Sequence, residues 1–191
     1  MRFFKPAIPT DGDLELVPPS MNLIDDFLAA QPLTAVDSTP LWSRGQLLDL
    51  LRICPGGFDK GDPLFERWPA YYFWLRARPN GSRQIVGTLA FRISECEQIH
   101  LYYGHIGYSV FPAARGHHYA ERATRLILPL ARKHAIPQLW ITANPDNVAS
   151  RRTCERLGAD LVDIVDVPSN TRLYHRGDRQ KCRYRLRVDA P

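Results

Sequence analysis

The chain is poor in the features that staple, span or repeat. Its four cysteines (Cys54, Cys96, Cys154, Cys182) stand far apart in 191 residues and form no C-x-x-C pair. That spacing argues against a disulfide framework or a zinc site, and reduced thiols are expected. No apolar run approaches the length of a membrane span. The N-terminal M-R-F-F-K-P lacks the apolar core and small-residue cleavage site of a secretory signal. A cytoplasmic protein without a membrane partner is the expectation. No internal repeat or low-complexity tract is visible, and charge of one sign is not in large excess. Twenty-five basic residues face 20 acidic ones, for a formal net charge of +5. That balance draws anionic ligands without by itself marking a nucleic-acid binder.

What is present is an ordinary globular composition, 45% apolar and 24% charged, at a length that suits one domain over 1–191. Leu14 to Val17 reads as a short strand ended by Pro18-Pro19. Ser20 is placed to cap a helix through Ala30, and Ser43 to cap a second that carries Leu47, Leu48, Leu50 and Leu51. Pro55-Gly56-Gly57 ends that helix. Residues 55–69, rich in Pro and Gly with mixed charge, read as a long loop. Its acids Asp59, Asp62 and Glu66 are as readily a solvated face as a functional one.

Residues 70–76 and 84–93 are β-rich, with Pro79-Asn80-Gly81-Ser82 as a hairpin turn between them. His105 to Val110 reads as a third strand and 117–134 as a helix, which Pro129 should kink or end early. Leu139 to Ala143 is another strand. Asp146 or Asn147 caps a helix that stops at Gly158, and strands over 161–167 and 182–188 close the chain. The strand-helix-strand unit from 105 to 143 predicts a parallel pair. The order predicts an α/β (α+β) fold with a mixed central sheet of about six to seven strands flanked by helices on both faces. Trp42, Trp68, Trp74 and Trp140 read as core or cleft-wall residues.

The run from Val110 to Ala120, V-F-P-A-A-R-G-H-H-Y-A, carries the most information. It takes an apolar strand through a proline turn into the start of a helix. Orphan backbone N–H groups and the helix dipole there would favour a phosphate or pyrophosphate. His117 and His118 are adjacent, so their side chains diverge, and no metal is expected. The strictly alternating Cys182 to Val188 is an amphipathic strand whose arginines are expected on a solvated face. A nucleic-acid patch there lacks any aromatic platform to support it.

G-H-I-G-Y-S-V-F-P-A-A-R-G-H-H-Y-A, followed by N-P-D-N-V-A-S-R-R-T-C-E-R-L-G-A, resembles the GNAT superfamily of acetyl-CoA-dependent N-acetyltransferases. The resemblance is firm over 84–160 and weaker elsewhere. It implies a GNAT-type fold and acetyl-CoA as cosubstrate. Its pyrophosphate would lie on the backbone of Arg115, Gly116, His117, His118, Tyr119 and Ala120. The strand Tyr108-Ser109-Val110 would line the pantetheine arm and stabilise the oxyanion. Asn147 and Ser150 would contact the same arm.

Two positions depart from the family pattern. His118 replaces a glycine, a change accommodated if the residue has helical angles. Cys154 stands where a tyrosine often protonates the leaving thiolate, and it is the candidate acid. His105 is the candidate base, among Glu95, Glu97 and His100. The implied activity is acetyl transfer to a primary amine, on a small molecule or a peptide, by direct attack in a ternary complex. A GNAT-fold module that binds CoA or a peptide without turnover is the alternative, and a basic nucleic-acid binder a remoter one. A homodimer is compatible with the sequence.

Overall fold

Period-two alternation along the central hairpin divides one sheet into a dry face and a half-open one, and the site is built on that difference. The computed structural model describes residues 3–4, 8–34, 41–53, 57–62, 67–79 and 81–188, with the side chains of 53, 57–62 and 67 left aside. The strands are β1 (Glu15–Val17), β2 (Gly57–Asp62), β3 (Arg67–Ala77), β4 (Gln84–Arg92), β5 (Ile106–Val110), β6 (Gln138–Ala143), β7 (Asp160–Asp166) and β8 (Gln180–Arg187). The helices are α1 (Ile24–Ala30), α2 (Arg44–Ile53), α3 (Tyr119–Lys133), α4 (Val148–Leu157) and the short α5 (Arg172–His175). A π-helical turn spans Ile99–Tyr103, between β4 and β5.

β3 pairs with β1, β2 and β4, and β4 pairs with β5; a second sheet runs β6-β8-β7. All these ladders are antiparallel. Tyr71, Phe73 and Leu75 of β3 and Leu89 and Phe91 of β4 point to one face. They are buried with Ala123, Ile127 and Leu130 of α3 and with Ile141, Tyr184 and Leu186 of the second sheet. Each such side chain, moved fully out of water, contributes about 1.5–3 kcal/mol. The opposite face carries Trp74, which packs with Ile24 and Phe27 of α1, Leu47 of α2 and Phe111. The fold is the expected α/β arrangement, sheets flanked by helices, but its sheet is in two parts.

That division corrects the expected parallel pair. β5 and β6 do not form a ladder and are joined at one end, where the backbone N–H of His105 donates to Trp140 O at 2.6 Å. Gly104 allows the approach. It has φ +66°, and a Cβ on it would stand 2.9 Å from Trp140 O.

Other expectations shift as well. The loop foreseen over 55–69 contains β2 at 57–62 and the start of β3, while residues 54–56 and 63–66 lie outside the described residues, with Cys54 and Glu66 among them. Ser20 precedes a 3-10 turn, makes no side-chain cap and turns its hydroxyl to Asn22 Oδ1 at 2.7 Å. Ser43 does cap α2: its Oγ accepts from Gln46 N, and its own N–H donates to Gln46 Oε1. Pro129 does not end α3, which continues to Lys133. Buried residues on both sides of it, Ala123 and Ile127 before and Leu130 and Ala131 after, hold the helix to the sheet.

Candidate functional site

The gap between β5 and β6 is the feature around which the predicted residues gather. Phe111 N donates to Val86 O at 2.9 Å on β4. Strand alternation therefore turns the backbone groups of Tyr108 and Val110 to the other edge, facing the gap. Ser109 lies between them, opposite Thr88. Across the gap α4 begins at Asn147, whose Oδ1 accepts from Ser150 N at 3.0 Å, so Asn147 rather than Asp146 is the cap. The Tyr108 hydroxyl spans the gap and bonds Ser150 Oγ at 2.9 Å. The two sequence blocks, separate along the chain, thus meet in space. Burial holds the Tyr108 phenol well above its usual value, so it stays protonated.

Beyond Val110 a 3-10 turn over Pro112–Ala114 leads to Arg115, Gly116, His117 and His118, all exposed, and then to Tyr119 and Ala120, buried at the start of α3. No side chain caps α3. Its first N–H groups thus lack intrahelical partners at an exposed positive helix end, a geometry that suits a phosphate. His118 does not have the right-handed helical angles that would accommodate its Cβ without cost. Its φ of 56° and ψ of 25° are left-handed, the conformation in which glycine costs least. His117 and Tyr119 stack at 5.4 Å.

The two predicted catalytic side chains are both interior. Cys154 is fully buried in the main core, and burial pushes its thiol up to about 12. A thiol of that pKa is a poor proton donor to a thiolate whose conjugate acid lies near 8.5. His105 is also fully buried, at the closed end of the gap. Its Nδ1 accepts from Trp140 N at 2.9 Å, which leaves the proton on Nε2, directed at Glu95 Oε1 at 3.0 Å. Burial pushes its pKa down to about 4 despite the Glu95 carboxylate, so the ring is neutral at pH 7. With its one lone pair occupied by the Trp140 N–H, His105 is held as a pin between the sheets, a geometry that speaks against the base role expected of it.

Glu95 is half-exposed and also meets His100 Nε2 at 3.1 Å. Glu95, His100 and His105 lie close enough to hold a cation. A metal at His105 Nε2 would need the ring proton on Nδ1, against the Trp140 N–H, so hydrogen bonding accounts for the cluster better than coordination.

Sequence reading missed Arg92 and Gly107. They are neighbours on the half-open face, which also carries the partly exposed Tyr72, Thr88, Ala90 and Ser109. The alternation of β4 and β5 could have placed them there. Trp68, Trp74 and Trp140 are buried, as expected of wall residues. The arginines of β8 are not a free cationic patch. Arg183 is largely buried, forked onto Asp163 and stacked over Trp140, while Arg185 faces Asp160. Among the described residues no helix is long and apolar enough to cross a membrane.

Comparisons with known proteins agree with this geometry. Among solved structures, a GNAT-family acetyltransferase from Bacillus anthracis superposes with a TM-score of 0.68 at 13% identity, over 96% of this chain and 100% of that one. The apo ribosomal L7/L12 alpha-N-protein acetyltransferase RimL gives 0.60 at 15%, over 96% and 99%. The microcin C7 self-immunity acetyltransferase MccE, in complex with acetyl-CoA and AMP, gives 0.60 at 14%, over 93% of each chain. No curated protein matches the sequence significantly. The profile of the acetyltransferase (GNAT) domain matches residues 25–160. The chain belongs to the GNAT acetyltransferase family, the family of acetyl transfer from acetyl-CoA.

Proposed function

We propose that this single domain transfers the acetyl group of acetyl-CoA to a primary amine by direct attack in a ternary complex. The observation that carries this reading is the unladdered gap. Its β5 edge offers the backbone of Tyr108 and Val110, and it leads to the uncapped N-terminus of α3. In it the pantetheine arm of the donor would run along β5 as an added strand, next to Ser109, Asn147 and Ser150. Its pyrophosphate would rest on the backbone from Arg115 to Ala120. An N–H on the β5 edge would hold the thioester oxygen as charge develops.

The amine nitrogen bonds to the carbonyl carbon, the carbon–sulfur bond breaks, and the thiolate leaves. Glu95, half-exposed and one hydrogen bond from the closed end of the gap, takes the amine's proton, directly or through water. The thiolate is a tolerable leaving group, and solvent supplies its proton; Cys154 packs and does not donate.

The test is to incubate the protein with acetyl-CoA and a set of amines and follow free thiol. Acceptor-dependent release, lost in Glu95→Gln with CoA binding retained, is the expected result. Thermal stabilisation by CoA with no release from any amine would replace transfer by a binding module without turnover.

A further inference from the structure

The half-open face holds a cation for which the described residues offer no carboxylate partner. Arg92 ends β4 on the face away from the main core, beyond Ala90 and Thr88 on the same side. Its Nη1 donates to the carbonyls of Tyr103, at 3.2 Å, and Gly104, at 3.1 Å. Those bonds fix the guanidinium against the end of the π-helical turn and use both hydrogens of Nη1. Among the described residues no carboxylate pairs with it, and Nε and Nη2 have no hydrogen-bond partner. The side chains of Tyr72 and Tyr103 stand beside it.

A half-buried guanidinium without a counter-ion is costly, and the edge that no described residue uses is the bidentate one that matches a planar oxyanion. Among the described residues, the strand beside that edge is bare. Gly107 sits next to the guanidinium, and a Cβ there would come within 3.3 Å of both Nη1 and Nη2. Its direct strand partner is Ala90, so the floor beside the arginine is bare of bulk. Gly107 lies between Ile106 and Tyr108, beside the strand edge assigned to the thioester.

We infer that the acceptor is an amine that also bears a carboxylate, seated on the unused edge of Arg92 over the bare backbone of Ala90 and Gly107. The inference rests on the acetyl-transfer reading and names its substrate class. Arg92 fixes the acid group, and the amine of the same molecule then faces the donor beside β5.

The test titrates CoA-loaded protein with N-acetylglycine, N-acetylphenylalanine and N-acetylglutamate, each against its α-amide, by calorimetry. At least one acid is expected to bind tenfold or more tightly than its amide, on the order of one charge-assisted bidentate contact. Arg92→Gln should abolish that preference and leave CoA affinity unchanged. Since Arg92 also anchors the π-helical turn, Gly107→Ala is the second variant. It crowds the guanidinium without removing it and should lower the preference severalfold. Equal binding of every acid and amide, no binding of any acid, or a preference that survives Arg92→Gln overturns the inference. Thiol release with amines lacking a carboxylate, as efficient as with those bearing one, overturns it and leaves acetyl transfer standing. A preference for acids without thiol release from any amine overturns the transfer reading and leaves the acid subsite.

Discussion

His105 is where stability and pH should be most tightly coupled, and the structure sets the size of the effect. Replacing it by Leu leaves the Trp140 N–H unpaired in the interior, which costs about 1–3 kcal/mol. It also removes the bond to the half-exposed Glu95, a further loss of about 1 kcal/mol. Asparagine can put its Oδ1 near the place of Nδ1, keeping the first bond and losing the second, so His105→Asn should cost only about 1 kcal/mol.

The proton balance adds a pH signature. The folded pKa is about 4 and the ordinary value is 6.5. Between those values the unfolded chain binds more protons than the native one, so stability falls as pH drops through that window. The histidine is fully buried, and the loss attributable to it is about 3 kcal/mol, complete below pH 4. Neither variant has this component. The advantage of the parent over His105→Leu should therefore be largest near pH 7 and shrink toward zero by pH 4. Urea unfolding of parent and both variants across that range measures it; titrating groups other than Glu95 cancel in the differences, and Glu95 loses its histidine partner equally in both variants. Parallel curves for parent and His105→Leu, or equal costs for Leu and Asn, would refute the assignment of the ring as a neutral pin.

Three further outcomes are expected. His118→Gly relieves a left-handed conformation and should raise the thermal midpoint of the ligand-free protein by the equivalent of about 1 kcal/mol; an unchanged or lower midpoint counts against the strain. Cys154→Ala should lower stability by about 1–2 kcal/mol, with turnover per folded molecule kept within twofold; a tenfold loss in thiol release would restore the thiol as an acid. At the end of β6, the buried Lys181 Nζ meets Asn144 Oδ1 at 2.6 Å and Asp178 Oδ2 at 3.0 Å, and Asn144 Nδ2 meets Asp178 Oδ1 at 2.6 Å. Asp178→Ala strands that ammonium and should cost about 3 kcal/mol, more than Lys181→Met, which removes the charge altogether; the reverse order in urea midpoints would refute a charge-centred clasp.

Much of the fold was readable because short-range chemistry agrees with it. The Ser43–Gln46 capping box, the Asn147 cap, Gly158 in a left-handed C-cap and the hairpin between β3 and β4 all occur where residue type predicts them. What was not readable depends on distant partners. β2, G-F-D-K-G-D, has neither apolar alternation nor β-branched residues, and its strand form comes from pairing with β3. The failure of β5 and β6 to ladder is equally tertiary, since the strands meet at one crossing point, where His105 bonds Trp140 beside Gly104. The site shows the same division. The loop from Arg115 to Ala120 and the cap at Asn147 announce themselves, since their chemistry is backbone chemistry at helix starts. The roles of His105 and Cys154 do not, because a side chain's reactivity follows from burial, and both are fully buried.

The split sheet has one more consequence. The backbone ladders stop at β5 and resume at β6, yet a single apolar interior spans both, from Leu14 and Phe91 through Ile127 to Tyr184. The angle between the two halves is therefore a packing variable, set by the bulk of α3 and its neighbours and pinned at one histidine. A change of one methylene at Ile127 or Leu130, out of reach of any ligand, would alter the width of the opening. The aperture of this cleft can drift through its upholstery while every residue that lines it stays the same.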